Sequence, residues 1–225
     1  MAGNAQEGVS LAELQLATRN HGMPLEALRH EITPLGLHYL LVHYDVPALD
    51  PATWRLHVGG RVGRELSLSL DDLTARPART AAVTMECAGN GRAGLAPRPI
   101  SQPWLHEAVG TGSWTGIGLR ALLDEAAPAE DAVEVVFSGA DRGVEGGVEQ
   151  VYERSLRLDD PVLDEALLAF ALNGVALPPQ HGFPLRLMVP GWYGMTSVKW
   201  LERITLVDTP FAGYQQARSY RMRAR

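Results

Sequence analysis

The stretch Thr84-Met85-Glu86-Cys87-Ala88-Gly89-Asn90-Gly91-Arg92 constrains this chain more than any other. The residues that lead into it, Ala81-Ala82-Val83-Thr84-Met85, read as a buried strand. Glycines at 89, 91 and 94 then turn the chain tightly and expose backbone N–H groups. Cys87 is the only cysteine of 225 residues, so no internal disulfide staples the fold. Stability must come from packing, and a content of 46% hydrophobic residues is enough for a full core. Read locally, two roles stay open for Cys87. It is a small buried hydrophobe, or it is a thiol presented beside Arg92 as a ligand or nucleophile.

A chain of 24.4 kDa suits one large domain, or a domain with a short appendage. We expect an extension over 1–30, the main domain over 31–211 and a basic tail over 212–225, the tail being a solvated end or the start of something missing. The formal charge of −6 argues against nucleic acid as a partner, which wants a basic surface. No apolar run approaches the roughly 20 residues of a membrane span. Met1 to Asn20 shows no export signal, which makes the cytoplasm the expected location.

Along the chain, 9–17 is a candidate helix, and strands are expected at Trp54 to Val58 and Leu66 to Leu70. Ser69 or Asp71 can cap a short helix around Asp72-Leu73. Short helices are expected at 104–109 and over Gly118 to Ala126, the latter with Leu119, Leu122 and Leu123 on one side. A strand at 132–137 leads into a glycine-rich, acidic loop over 138–149. A helix over 162–172 is expected from Pro161 and from Leu163, Leu167 and Phe170, with Asn173-Gly174 as its stop. Strands at 185–189 and 198–207 flank a turn at 190–197. Gly89-Asn90-Gly91-Arg92-Ala93-Gly94 matches the G-x-G-x-x-G of nicotinamide-binding folds. Pro97 and Pro99 follow at once and block the helix such a motif needs, so the segment reads as an irregular loop. His38 and His43, five apart, share neither a strand face nor a helix stack, which argues against a zinc pair.

Glu86-Cys87-Ala88-Gly89-Asn90, with Arg92 beyond, resembles the molybdenum-ligand segment of the sulfite oxidase family. His181-Gly182-Phe183-Pro184-Leu185-Arg186, Val189-Pro190-Gly191 and Ser197-Val198-Lys199-Trp200 resemble that family's pterin-phosphate segment. Trp114-Thr115-Gly116, Gly139-Ala140-Asp141 and Tyr152-Glu153-Arg154-Ser155 add further matches in the family's order, from about residue 33 to 211.

The resemblance implies an α+β fold with mixed β-sheets and peripheral helices, holding a molybdenum-molybdopterin cofactor. It implies oxygen-atom transfer on a small sulfur or nitrogen oxo compound, with a separate electron-transfer partner. The alternatives are a pterin-binding or carrier domain without turnover and, third, a nicotinamide-binding protein. Cys87 is the implied metal ligand, as a soft thiolate beside two dithiolene sulfurs. Arg92 and Tyr152 are implied at the substrate and the oxo group. Asp141, His181, Arg186, Ser197, Val198 and Lys199 are implied around the cofactor, with the N–H groups of 197–199 as phosphate donors. The family's Arg-Asn-His triplet has a literal match at Arg19-Asn20-His21, but Thr33-Pro34 and Pro47 place its counterpart at His43-Tyr44-Asp45. An imidazole then stands where a fixed charge is usual, and His43 is expected to titrate near neutrality. That exchange points away from sulfite, a dianion best held by arginines.

Overall fold

The computed structural model describes residues 19–99 and 101–220, so the candidate helix at 9–17 lies outside the described residues. Among the described residues, ten strands form two sheets. The first has the order β2-β1-β10-β5-β6, from β1 (Leu56–Gly60), β2 (Leu66–Leu68), β5 (Glu134–Glu145), β6 (Val148–Arg157) and β10 (Leu201–Val207). The second has the order β3-β4-β7-β8, with β9 also on β7: β3 (Ala78–Glu86), β4 (Val109–Gly118), β7 (Leu167–Leu172), β8 (Val175–Ala176) and β9 (Arg186–Met188). The β1–β10 pair is parallel and the other pairs are antiparallel. The α-helices are short: α1 (Leu70–Thr74), α2 (Leu119–Ala126) and α3 (Val162–Glu165). This is the α+β class with mixed sheets. No helix among the described residues is long and apolar enough to cross a membrane.

Local chemistry explains the elements that form as expected. Ser69 caps α1 through a reciprocal box: its hydroxyl accepts the Asp72 N–H at 3.1 Å and the Asp72 carboxylate accepts the Ser69 N–H at 2.9 Å. The apolar side of α2, from Leu119, Leu122, Leu123 and Ala126, is buried.

Three segments differ from expectation. The run Leu167 to Leu172 is strand β7, and the helix before it ends at Glu165. Leu163, Leu167 and Phe170 have helical spacing, but a strand buried on both faces carries the same uninterrupted apolar run. Leu168 packs into the core cluster between the sheets, whereas Leu167 and Ala169 pack into a second cluster with Trp114 and Met85. The stretch expected as a loop at 138–149 is the rest of β5, a turn at Gly146-Gly147 and the start of β6. The glycines there punctuate a hairpin, with Arg142↔Val151 to Glu145↔Val148 in register. Residues 104–109 hold no helix; Trp104 is buried and the chain runs straight into β4.

Gly116 marks where β7 comes closest to β4. The register shifts between Thr115 and Gly116, and a Cβ at 116 would collide with the Leu168 carbonyl oxygen and lie 2.6 Å from the Ala169 Cα. Backbone cannot swing aside as a side-chain tip can. Gly116→Ala is therefore expected to cost about 1–3 kcal/mol, read as a lower denaturant midpoint; an unchanged midpoint would show that the sheet yields freely there.

Candidate active site

Cys87 leaves the end of β3 with its N–H still bonded to the Ala108 carbonyl at 2.9 Å. The following turn is pinned from inside. Asn90 N–H donates to the Cys87 carbonyl at 2.9 Å, and the Asn90 side chain accepts the Ala108 N–H at 3.1 Å. The Gly89 N–H points at the thiol, 3.4 Å from Sγ. No α-helix starts in this turn; a 3-10 turn at Arg92–Gly94 follows. The nicotinamide-type geometry is therefore not formed.

Two chambers meet at Cys87. The inner one is walled by His43, Asp141, Tyr152, His181, Arg186 and Lys199, with Ser197, Tyr39 and Met85. The outer one, of about 650 Å³, is walled by Arg19, Tyr44, Arg92, Arg142 and Glu145. Cys87, His43, Leu41 and Tyr220 border both.

The inner basic side chains converge through one turn. His181 ends the 3-10 turn Pro179–His181, and Gly182 follows at φ 110. A Cβ at 182 would sit 3.0 Å from the Lys199 Cβ and 3.1 Å from the Arg186 Cβ, so only glycine lets these segments close. Arg186 donates to the His181 and Ser197 carbonyls at 3.0 Å each and stacks 4.8 Å from the Trp114 ring. Lys199 donates to the Leu41 carbonyl and lies 4.5 Å from the Trp200 ring. Asp141 arrives by a bulge. The β5–β6 register jumps from Ser138↔Glu153 to Arg142↔Val151, and the extra residues turn Asp141 inward. Its Oδ1 is buried without a partner. Burial raises the Asp141 pKa and lowers that of Lys199, and the attraction between the two opposes both shifts.

Several expected roles change. Val198 is fully buried in the core and lines neither chamber. The N–H groups of Ser197 and Val198 already donate to the Gly194 and Thr196 carbonyls, so they are not free phosphate donors. The Ser197 hydroxyl accepts from Val189 N–H at 3.1 Å, which braces the turn. Tyr152 lines the inner chamber, but its hydroxyl donates to the Met195 carbonyl at 2.7 Å. Tyr44 faces the outer chamber and donates to Glu145 at 3.1 Å. Arg92 also belongs to the outer chamber and donates to Ser101 at 2.7 Å.

His43 does not titrate near neutrality. Burial, reinforced by Lys199, Arg92 and Arg154, pushes its pKa down to about 3 and holds the imidazole neutral. Burial likewise raises the Cys87 thiol, against the pull of the Gly89 N–H and Arg92. Both triplets contribute to the outer chamber, although His21 stays exposed outside it. Arg19 and Asn20 line the outer chamber beside His43; Arg19 donates to the Tyr44 carbonyl at 3.3 Å and Asn20 accepts from Val42 N–H at 2.6 Å. Asp45 points outward and pairs with Arg19 at 3.6 Å. Tyr220 was invisible to sequence reasoning, since it stands in the basic tail beyond every matched motif.

A sequence model of the family described as "oxidoreductase molybdopterin binding domain" matches residues 43–215. Mitochondrial sulfite oxidase of Homo sapiens is 38% identical over 195 residues, covering 84% of this chain and 36% of that protein. Sulfite oxidase of Gallus gallus is 39% identical over 193 residues, covering 81% of this chain and 41% of that protein. An NADH nitrate reductase of Solanum lycopersicum is 35% identical over 214 residues, covering 90% of this chain and 23% of that protein. The chain thus spans under half the length of these curated relatives. The crystal structure of the sulfane dehydrogenase SoxCD from Paracoccus pantotrophus shares the fold. Its TM-score is 0.76 at 24% identity, over 98% of this chain and 58% of that one.

The buried histidines give the site a pH signature. Burial pushes His38 down to about 4, and burial with neighbouring cations pushes His43 and His181 down to about 3. Their folded values lie below the unfolded value of about 6.5, so their neutral forms stabilise the fold above that pH and the contribution is lost as pH falls. Asp141, raised by burial, works the other way, but one carboxyl is outweighed by three imidazoles. In cofactor-stripped protein the calorimetric unfolding midpoint is expected to drop already between about pH 6.5 and 5, ahead of ordinary carboxylates. A flat midpoint across that window would mean the imidazoles are solvated.

Proposed function

The chain belongs to the oxidoreductase molybdopterin binding domain family, of the sulfite oxidase type, and from that premise we propose that it carries out oxygen-atom transfer on a small sulfur or nitrogen oxo compound. The observation that carries the reading is the place of Cys87, on the wall shared by a cationic inner chamber and an arginine-lined outer one. The residues fit the molybdenum-molybdopterin group. A soft thiol stands at the chamber junction, His181, Arg186 and Lys199 surround the inner space, and the Asp141 Oδ1 is a buried acceptor waiting for an N–H. When bound, this cofactor supplies the two-electron oxygen-atom transfer.

The protein's residues bind, orient and exclude water. Cys87 would hold the metal as a thiolate, its proton lost on binding against the burial that otherwise favours the thiol. Arg186 spends its N–H groups on carbonyls, so toward the pterin phosphate it acts as a fixed positive charge. Lys199 and His181 complete the wall. Tyr152 supplies a ring against His43, with centroids 4.7 Å apart, and not a free hydroxyl.

On the substrate side, Arg19, Arg92 and Arg142 face the outer chamber. They return from other positions the positive charge that His43 withholds, so a small oxyanion stays within the substrate class. Sulfur oxo compounds are favoured by the sulfite oxidase relatives, and the nitrate reductase relative keeps nitrogen oxo compounds in the same class. Electrons are exchanged with a separate partner.

Cys87→Ser is expected to abolish turnover of sulfite and of dimethyl sulfoxide while the unfolding midpoint stays within about 1 kcal/mol of wild type; a fully active variant would remove the thiol from the metal. Lys199→Ala should weaken retention of molybdopterin about 10- to 100-fold, the worth of one charge-assisted hydrogen bond, measured by pterin fluorescence after dialysis. Unchanged retention would take Lys199 out of the phosphate site.

A further inference from the structure

The segment after Phe211 is not a solvated tail. Tyr214 leads into a π-helical turn, Gln215–Ser219, and Gln215 is 2% exposed. The buried Arg154 donates to the Gln215 carbonyl at 2.5 Å. The β5–β6 hairpin closes over the same turn: a Cβ at Gly146 would come 3.0 Å from the Tyr214 ring. Between hairpin and turn stands Glu145. Its carboxylate accepts from the Tyr44 hydroxyl at 3.1 Å, the Gln215 amide at 2.6 Å and the Ser219 hydroxyl at 3.2 Å. All three donors are neutral, and no ion pair to Glu145 occurs among the described residues. Its negative charge therefore stays uncompensated on the wall of the outer chamber.

The Gln215 side chain carries a second signal. Its amide nitrogen faces the carboxylate and also donates to the Tyr44 hydroxyl at 2.9 Å. That fixes the amide's orientation and leaves Oε1 buried without a partner, on a residue that lines the chamber. Gln102, 9% exposed on the same wall, likewise has an unpartnered Oε1. Buried acceptors without partners are rare and call for a donor. A bare oxyanion has no N–H to give. Positive charge stands on a different part of the wall. Arg92 lies against the Cys87 turn, its guanidinium 2.5 Å from where a Gly89 Cβ would be. At the junction itself the His43 Nε2 and the Tyr220 hydroxyl, 2.5 Å apart, occupy each other. The chamber, of about 650 Å³, also has room to spare. The four heavy atoms of sulfite fill on the order of 100 Å³ at roughly 30 Å³ each.

We propose that the outer chamber recognises a zwitterion, an aminoalkyl sulfinate, with its sulfinate oxygens toward Arg92 and its protonated amine received by the Glu145 carboxylate and the Gln215 Oε1. This rests on the oxygen-transfer reading above and names its substrate class. A sulfinate is sulfite with one oxygen replaced by carbon. It is a monoanion and not a dianion, which suits a junction where His43 adds no charge, and it keeps the sulfur lone pair. The lone pair forms one new S–O bond, water supplies the oxygen and releases two protons, and two electrons leave singly to a one-electron acceptor. No bond to carbon breaks. At the far end of the substrate, an ammonium donating to a carboxylate makes a charge-assisted hydrogen bond.

The test uses wild-type holoprotein and Glu145→Gln, which keeps an acceptor and removes the charge. Circular dichroism and molybdenum content establish that fold and cofactor are kept. Aminoethanesulfinate is compared with propanesulfinate, in which a methyl replaces the ammonium, with ferricyanide as electron acceptor. Binding is read separately, by calorimetry with the corresponding redox-inert sulfonates. Wild type is expected to favour the amine about 10-fold or more, in both kcat/KM and sulfonate Kd. Glu145→Gln should lose that preference in both, and Glu145→Asp, which restores the charge, should recover part of it. Wild type that treats the amine and its methyl isostere alike overturns the proposal without recourse to a variant, and leaves oxygen transfer standing if both are oxidised. A Glu145→Gln protein that keeps the preference overturns the role of Glu145. Wild type that binds the aminosulfonate selectively but oxidises neither sulfinate nor sulfite overturns the oxygen-transfer reading, and the substrate assignment with it.

Discussion

The buried guanidinium of Arg186 is the constraint on which the rest of the site depends. It is 2% exposed, and no ion pair to it occurs among the described residues. Its N–H groups tie the carbonyl of His181 to the carbonyl of Ser197, while its face rests on Trp114. Burial lowers its pKa to about 10, which still leaves it charged at neutral pH. A positive charge with only dipoles for company is expensive in a protein interior. It makes sense beside a chamber that receives an anion, and the same tethers that hold the charge bring His181 and Lys199 to that chamber.

The second organising feature is the division of charge between chambers. Inside, burial keeps His43 and His181 neutral and pulls Lys199 down, so the inner wall is less cationic than a residue count suggests. Outside, Arg19, Arg92 and Arg142 are set against Asp45 and Glu145. An oxyanion therefore meets positive charge at the approach and a neutral imidazole–phenol pair at the junction. That arrangement favours entry without trapping the anion, because strong fixed charge is kept back from the reacting position.

How much of this the sequence carried depends on whether the signal was local. The turn after β3, the cap at Ser69 and the apolar side of α2 rest on neighbouring residues and were legible. So was the gathering of His181, Arg186 and Lys199, because glycine and proline between them set a turn. β7 was misread because a run buried on both faces has no period of its own to distinguish strand from helix. The β5–β6 hairpin was hidden by its glycines, which serve there as a bulge and a turn. The neutrality of His43 comes first from its burial and then from Lys199, Arg92 and Arg154, groups that the fold brings in from distant parts of the chain, and no local pattern encodes it. The same holds for Tyr220, whose position is set by Arg154, Glu145 and Tyr44.

The central claim is that the thiol of Cys87 joins the two chambers as the protein's ligand to molybdenum. Molybdenum K-edge X-ray absorption on the holoprotein and on Cys87→Ser, each carrying its full metal content, tests it without any assay of turnover. The account predicts one sulfur scatterer fewer around the metal in Cys87→Ser. An identical sulfur shell in the two proteins would contradict it.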